Sequence, residues 1–322
     1  MNRDLTLLIP GFMRPECVLA SEQPTLSRLL SRADGVRCAT NHLEQRILNL
    51  FSIQGTHETL PVAPLTYLLD GGEPSDEYLL RVDPIYCQPD RGRVVLMARE
   101  LGLLQAEADS MIADLNRLFA EDGWQFIAPH PDRWYLKMPA AEQLKTTPLS
   151  SVMGHDIHNF LPQSPQGVAL HRAMSEIEML LHSNASNQQR IAAQQLPVNN
   201  VWIWGGGRLP AKPKTAWAQI WSDDSLVLAA AKHADLPRCE SPETATQWLQ
   251  QAITPGHHLI ALAAPEEVYG YDQTWFAPLA SALKSGQLNT LTLWLDNGYQ
   301  YQITKKSLRR WWRKQRTMKQ FL

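Results

Sequence analysis

The chain contains no run of about 18 uncharged apolar residues, which excludes a hydrophobic helix long enough to cross a bilayer. Its first residues, MNRDLTLLIPGF, set an aspartate and a proline around a short apolar run, so they read as an opening strand and not a targeting segment. A cytoplasmic protein is the expectation. Cysteine is scarce: Cys17, Cys38, Cys87 and Cys239 lie far apart and form no CxxC pair. That pattern argues against a zinc knuckle and a disulfide framework, and predicts buried thiols.

Acidic residues are missing from one end. Beyond Asp296 there is none, while Lys305, Lys306, Arg309, Arg310, Arg313, Lys314, Arg316 and Lys319 supply eight positive charges. The remaining 22 basic residues face 32 acidic ones, so positions 1–296 carry −10 within an overall charge of −2. The molecule is polar, with an acidic body and a basic end.

Hydrophobic residues make up 44% of the 322, enough to fill one large domain or a core with a sizeable insertion. Apolar runs of strand length occur at LTLLI (5–9), RVVLM (93–97), WQFIA (124–128), WYLKM (134–138), VWIW (201–204), HLIALAA (258–264) and TLTLWL (290–295). Helical spacings lie between them, in PTLSRLLSRA, in the long pattern from Gln105, and in SPQGVALHRAMSEIEMLLHS, where Val168, Met174, Ile177 and Leu181 share a face. Strands alternating with helices predict an α/β sheet. Residues 78–145 differ, because short strands and turn signals such as PDRGR and PHPDR bracket one long helix. They are expected to form an inserted α+β subdomain, with 1–77 and 146–303 as the core and 304–322 as a basic amphipathic helix.

The stretch VNNVWIWGGGRLP (198–210) stands out for its two tryptophans and three glycines. It lacks the lysine and hydroxyl of a phosphate loop and the GxGxxG spacing of a dinucleotide turn. Two readings stay open: a tight turn after a buried strand, or backbone N–H groups near an anion with Arg208 adding a charge-assisted bond.

In order along the chain, LLIPGF, PTLSRLLSRA, TTPLSSVMGHDI and NQQRIAAQQLPVNNVWIWGGGRLP resemble segments of the archaeal-type, cofactor-independent phosphoglycerate mutases of the alkaline phosphatase superfamily. The chain looks closer still to the bacterial RpfE-type regulatory proteins. The resemblance implies an alkaline phosphatase-like core, and an activity that moves a phosphoryl group through a phosphoserine with two divalent metals. It also implies which positions should carry that chemistry. At the family's first metal-binding Asp-Gly stand Pro10 and Gly11, and at its nucleophilic serine stand Leu60 and Pro61. AAPEEVYGYD retains Glu266 but offers Gly270 or Tyr271 for a histidine, and the late Asp-His pair becomes Asp296 and Asn297. Two carboxylates would not hold a binuclear cluster. A non-catalytic relative without metal is therefore expected; manganese or magnesium enters only if the chain is an enzyme with a site not recognised.

The retained positions suggest a ligand pocket near the junction of core and insertion. There His155 and Arg208 would bind an anionic small molecule, Trp202 and Trp204 would wall the site, and Asp156 and Asn200 would complete it. His257 and His258 precede a buried strand with no acidic or thiol partner nearby in sequence, and read as structural. On the expected helix, Arg309, Arg310, Trp311, Trp312 and Arg313 would meet a partner. An acidic protein face ranks first and nucleic acid last, since the body's charge opposes a phosphate backbone. Three functions follow: a regulatory or ligand-sensing protein on a mutase scaffold, an active mutase or phosphohydrolase, and an interaction scaffold acting through residues 304–322.

Overall fold

The computed structural model describes residues 3–20, 22–40, 42–55, 59–139, 141, 144–162 and 164–322. Among these, the strands in chain order are β1 (Arg3–Leu8), β2 (Asp34–Arg37), β3 (Leu79–Asp90), β4 (Arg93–Arg99), β5 (Gln125–His130), β6 (Arg133–Lys137), β7 (Asn200–Gly207), β8 (Trp217–Ser222), β9 (Arg238–Cys239), β10 (Gly256–Ala261), β11 (Thr290–Trp294) and β12 (Tyr299–Thr304). The fold is α/β, as the alternation of patterns predicts. All seven apolar runs fall on strands. β2, β3, β8, β9 and β12 are additional.

The chain divides into two units, residues 1–52 with 213–322, and residues 53–212. The first holds a seven-stranded mixed sheet in the order β2-β12-β11-β1-β10-β8-β9. β1 lies parallel to both β10 and β11, while β12 and β2 continue the sheet antiparallel. Central strands of such a sheet are covered on both faces, which is why LTLLI and HLIALAA run apolar without alternation. Helices Pro24–Arg32 and Ala277–Ser285 supply Leu26, Leu29, Leu279 and Leu283 to the core around Leu5, Leu7, Leu291 and Ile303. Each such buried side chain contributes about 1.5–3 kcal/mol.

The second unit is built on an antiparallel sheet in which β3 pairs with β4, β6 and β7. It is wider than the expected 78–145. The reason is β7: its fully buried NVWIWGGG reads as a core strand, but its hydrogen-bond partner is β3, register Asp83↔Trp202. Helix Gln105–Leu118 packs through Ala108, Met111 and Leu115, at i, i+3 and i+7.

Within this unit the three glycines have a steric role. An added Cβ at Gly205 would lie 3.0 Å from Val62 Cβ, at Gly206 2.7 Å from the Leu80 and Tyr78 side chains, and at Gly207 2.8 Å from Pro61 Cα. Helix Val62–Leu69, entered from Pro61, therefore starts directly against β7. The glycines are the last three residues of β7 and not the tight turn after it that the first reading expected; what they serve is close backbone approach.

Residues 304–322 do not form the expected amphipathic helix. Two short 3₁₀ turns, Ser307–Arg309 and Met318–Phe321, flank an irregular stretch. Met318 and Phe321 join the first unit's core, a spacing of three that a 3₁₀ turn serves and a continuous helical face does not require. Trp311 and Trp312, expected on the apolar face, are 81% and 67% exposed.

Candidate functional site

The carboxyl ends of parallel strands are where open α/β sheets hold ligands, and β1 and β11 end side by side in the first unit. Beyond them lie Pro10 and Gly11 after β1 and Asp296 and Asn297 after β11. Asp296 takes a left-handed backbone, φ 69°, in the turn to β12. Its Oδ2 accepts from the Gly11 N–H at 3.1 Å and its Oδ1 from Arg46 Nη1 at 3.2 Å. Arg46 is 1% exposed, donates from Nη2 to the Thr40 carbonyl, and lies 5.6 Å from the centre of the Trp294 ring. Its Nε is buried with no hydrogen-bond partner. Sequence reasoning missed Arg46, because nothing in LEQRILNL separates a buried guanidinium from one of a solvated face.

The neighbouring side chains are also committed. Asn297 Nδ2 donates to the Tyr301 hydroxyl and to the Phe321 carbonyl, each at 2.8 Å, so this amide ties residues 318–321 to the sheet. Burial raises the Cys38 thiol, with Arg46 pulling its pKa down and Asp296 pushing it up. Glu266 is exposed; it follows Pro265, whose carbonyl accepts from Arg14 Nη2.

Within the second unit, the six residues expected to share a pocket are dispersed. Trp202 and Trp204 do not wall a cavity. Both are buried, with Trp202 Nε1 donating to the Thr147 carbonyl at 2.9 Å and Trp204 Nε1 donating to Asp83. Arg81 bridges to Asp83 at 2.8 Å and lies over the Trp204 ring, completing a buried polar cluster. Arg208 follows the far end of β7 from Asn200, roughly 25 Å away at strand rise, and donates to the Asp76 carbonyl. His155 is exposed, with Nδ1 against the Met153 carbonyl at 2.9 Å. Asp156 caps the turn Ile157–Phe160 and pairs with His158 Nδ1 at 2.9 Å, the hydrogen bond that holds its carboxyl below the usual range.

Of the six, Asn200 lines a cavity of about 200 Å³, with Cys87, His158, His171, Glu178 and Asn199. Burial, reinforced by Glu178, pushes the Cys87 thiol up to about 12, so it is no nucleophile at neutral pH. Asn199 bonds both the N–H and the carbonyl of Cys87, and Asn200 donates to Glu178 at 3.5 Å. These residues come from β3, the turn Ile157–Phe160, the start of β7 with Asn199 before it, and helix Pro165–Ser183, a convergence with no signal in local sequence.

Of the expected partner-binding residues, Arg310 grips Asp34 through both Nη atoms, at 2.5 and 2.8 Å, and Arg313 donates to the Ala33 carbonyl at 2.6 Å. The Arg310 hydrogen bond lowers the Asp34 carboxyl. Arg309 is exposed, as are Trp311 and Trp312, whose rings meet edge to face at 6.2 Å.

No family model matches the chain. A probable 2,3-bisphosphoglycerate-independent phosphoglycerate mutase of Geobacter sulfurreducens is 23% identical over 141 residues, 42% of this chain and 35% of that protein. The mutase of Methanothrix thermoacetophila is 31% identical over 84 residues, 26% of this chain and 21% of that protein. The chain is a distant, partial relative of these mutases. The alignments span about a third and a fifth of their length. A solved cofactor-independent phosphoglycerate mutase from Thermoplasma acidophilum superposes with a TM-score of 0.43 at 13% identity, over 94% of this chain and 90% of that one. A Pyrococcus horikoshii structure gives 0.47 at 12%, over 94% and 85%.

The two metals implied by mutase resemblance do not fit the residues present. Proline at position 10 has no ligand atom in its side chain, Asn297 Oδ1 accepts from the Tyr299 N–H while its Nδ2 is spent on Tyr301 and Phe321, and both Asp296 oxygens are engaged, one by a cation. Among the described residues no three His, Cys, Asp or Glu side chains gather as a metal would need.

Proposed function

We propose that the chain is a non-catalytic, mutase-like protein of the RpfE type, a regulatory or ligand-sensing molecule on an alkaline phosphatase-like scaffold. The observation that carries this reading is the Arg46–Asp296 pair. A buried guanidinium neutralises Asp296, one of the two family carboxylates left, and a divalent cation entering there would meet like charge at close range. Replacement of the nucleophilic serine by Leu60 and Pro61, both buried at the start of helix Val62–Leu69, supports it further. Phosphoryl transfer through a phosphoserine needs a hydroxyl, and neither side chain has one.

In this reading the protein is cytoplasmic, needs no metal, and works through binding. No helix among the described residues is long and apolar enough to cross a membrane. Exposure of Trp311 and Trp312 beside Arg309 and Lys314 favours a contact role for the basic end, with an acidic protein surface as its complement. Metal content of the purified full-length protein tests the reading. Less than stoichiometric divalent metal after dialysis is expected; two tightly held ions per chain would overturn it.

A further inference from the structure

A groove of about 600 Å³ opens in the first unit between the sheet edge and the basic end. That volume lies within the range of small-ligand sites, about 300–1,000 Å³. One wall carries Arg313, Lys314 and Arg316; the other carries Tyr299 and Tyr301, with Gly35 of β2 between. No Asp or Glu side chain is among its lining residues, although Leu322, with the terminal carboxylate, is.

The two tyrosines are two residues apart on β12 and so share one face of the sheet, with ring centres 6.1 Å apart. Gly35 stands opposite Tyr301 in register, and the Tyr301 ring lies over it, 3.4 Å from where a Cβ would stand. Tyr301 is mostly buried with its hydroxyl held by Asn297, whereas Tyr299 is 42% exposed and offers a ring to the groove.

The cations differ in freedom. Arg313 is fixed by the Ala33 carbonyl and Asp34, and the Asp34 charge is already neutralised by Arg310. Lys314 and Arg316 are exposed and have no carboxylate within ion-pair distance among the described residues. The Arg316 guanidinium lies 6.0 Å from the centre of the Phe321 ring, where it is oriented without being neutralised.

A partly exposed aromatic ring facing unpaired cations across a groove of this size matches a planar base carrying a phosphate. The ring stacks the base, and the guanidinium and ammonium groups take the anion. We propose that this groove binds a nucleotide through Tyr299 stacking and phosphate contacts from Lys314 and Arg316. The same chemistry is offered by a free nucleoside monophosphate and by a nucleotide within a single strand. In the second case Trp311 and Trp312, adjoining Arg313 in sequence, would add further stacking surfaces. The local charge favours this ligand in spite of the acid balance of residues 3–296, because screening confines that field to about a Debye length, roughly 8 Å at physiological salt.

The test is calorimetric titration of the full-length protein with AMP, UMP, ribose 5-phosphate and an eight-residue oligothymidylate, at low and physiological salt. Variants Tyr299→Ala and Lys314→Glu both change exposed side chains, and circular dichroism melts confirm that they fold. The expected result is binding of AMP or UMP more tightly than ribose 5-phosphate, weakened about fivefold or more by Tyr299→Ala, the lower limit for losing one base–aromatic stack. Lys314→Glu should also weaken it and flatten its salt dependence. Tighter binding of the oligonucleotide, with the same sensitivity to both variants, identifies a strand as the source. No binding of AMP, UMP or oligonucleotide at millimolar concentration overturns the proposal. So does ribose 5-phosphate matching the nucleotides, or affinity untouched by folded variants.

Discussion

Arg46 Nη1 donates to Asp296 Oδ1 at 3.2 Å, so a buried guanidinium and a half-buried carboxylate hold each other at the carboxyl end of β11. The pair is asymmetric, since Arg46 is almost wholly buried while Asp296 keeps a third of its side chain in water. Removing one partner of a buried pair leaves the other charge uncompensated, at about 3–5 kcal/mol. Asp296→Ala strands the buried guanidinium and is expected near that cost; Arg46→Met leaves a carboxylate that solvent can reach and should cost less. Urea unfolding of the two variants measures the order, and equal or negligible losses would mean that the pair does not organise this turn.

Close packing at the glycines gives a second expectation. A methyl at Gly207 would approach Pro61 to 2.8 Å, against backbone and a rigid ring that cannot swing away. Overpacking of this kind costs about 1–3 kcal/mol, so Gly207→Ala should lower the urea midpoint with no change of slope. Gly207 lacks a left-handed backbone, so the steric contact is what the variant measures; Gly35→Ala, also without positive φ and with its nearest added contact at 3.4 Å, serves as the control. A Gly207 variant as stable as wild type would leave the glycine run without a steric explanation.

His258 makes stability depend on pH. Trp221 Nε1 donates to its Nδ1 at 3.2 Å, and its Nε2 faces the Thr254 carbonyl at 2.9 Å, so the neutral ring is fully satisfied. Protonating Nδ1 would set two donors against each other. Burial lowers the pKa of His258, and likewise that of His257. The unfolded chain therefore takes up protons first: stability is complete above the unfolded histidine value of about 6.5 and is lost as pH falls toward the folded values. Urea midpoints at pH 7.5 and 5.5 should show the decline, and His258→Gln should shrink it. A midpoint that rises on acidification through this window would contradict the assignment.

Much of the fold is legible in the sequence and much of the site is not. Long buried strands such as LTLLI and TLTLWL declare themselves because both faces are covered. β3 does not, since Pro84 and Pro89 interrupt its pattern, and β7 is legible as a strand but not as the neighbour of β3. The basic end misleads for a different reason. Leu308, Met318 and Leu322 fit a helical face on paper, yet Met318 and Phe321 are captured by the core and Asn297, and the backbone between adjusts to them. Trp202 and Trp204 show that matching a family's aromatic positions does not fix their surroundings. The Asp83 and Thr147 partners that bury them are distant in sequence. The pair that decides the chemistry, Arg46 with Asp296, is separated by 250 residues.

The most direct measurement is turnover of 3-phosphoglycerate to 2-phosphoglycerate by the purified full-length protein, coupled to enolase, with manganese or magnesium in excess. With Arg46 seated on Asp296 and no hydroxyl at positions 60 and 61, the rate should not exceed the protein-free background. Turnover above background that disappears in Glu266→Gln and Asp296→Asn would contradict the account and require a working metal site in this chain.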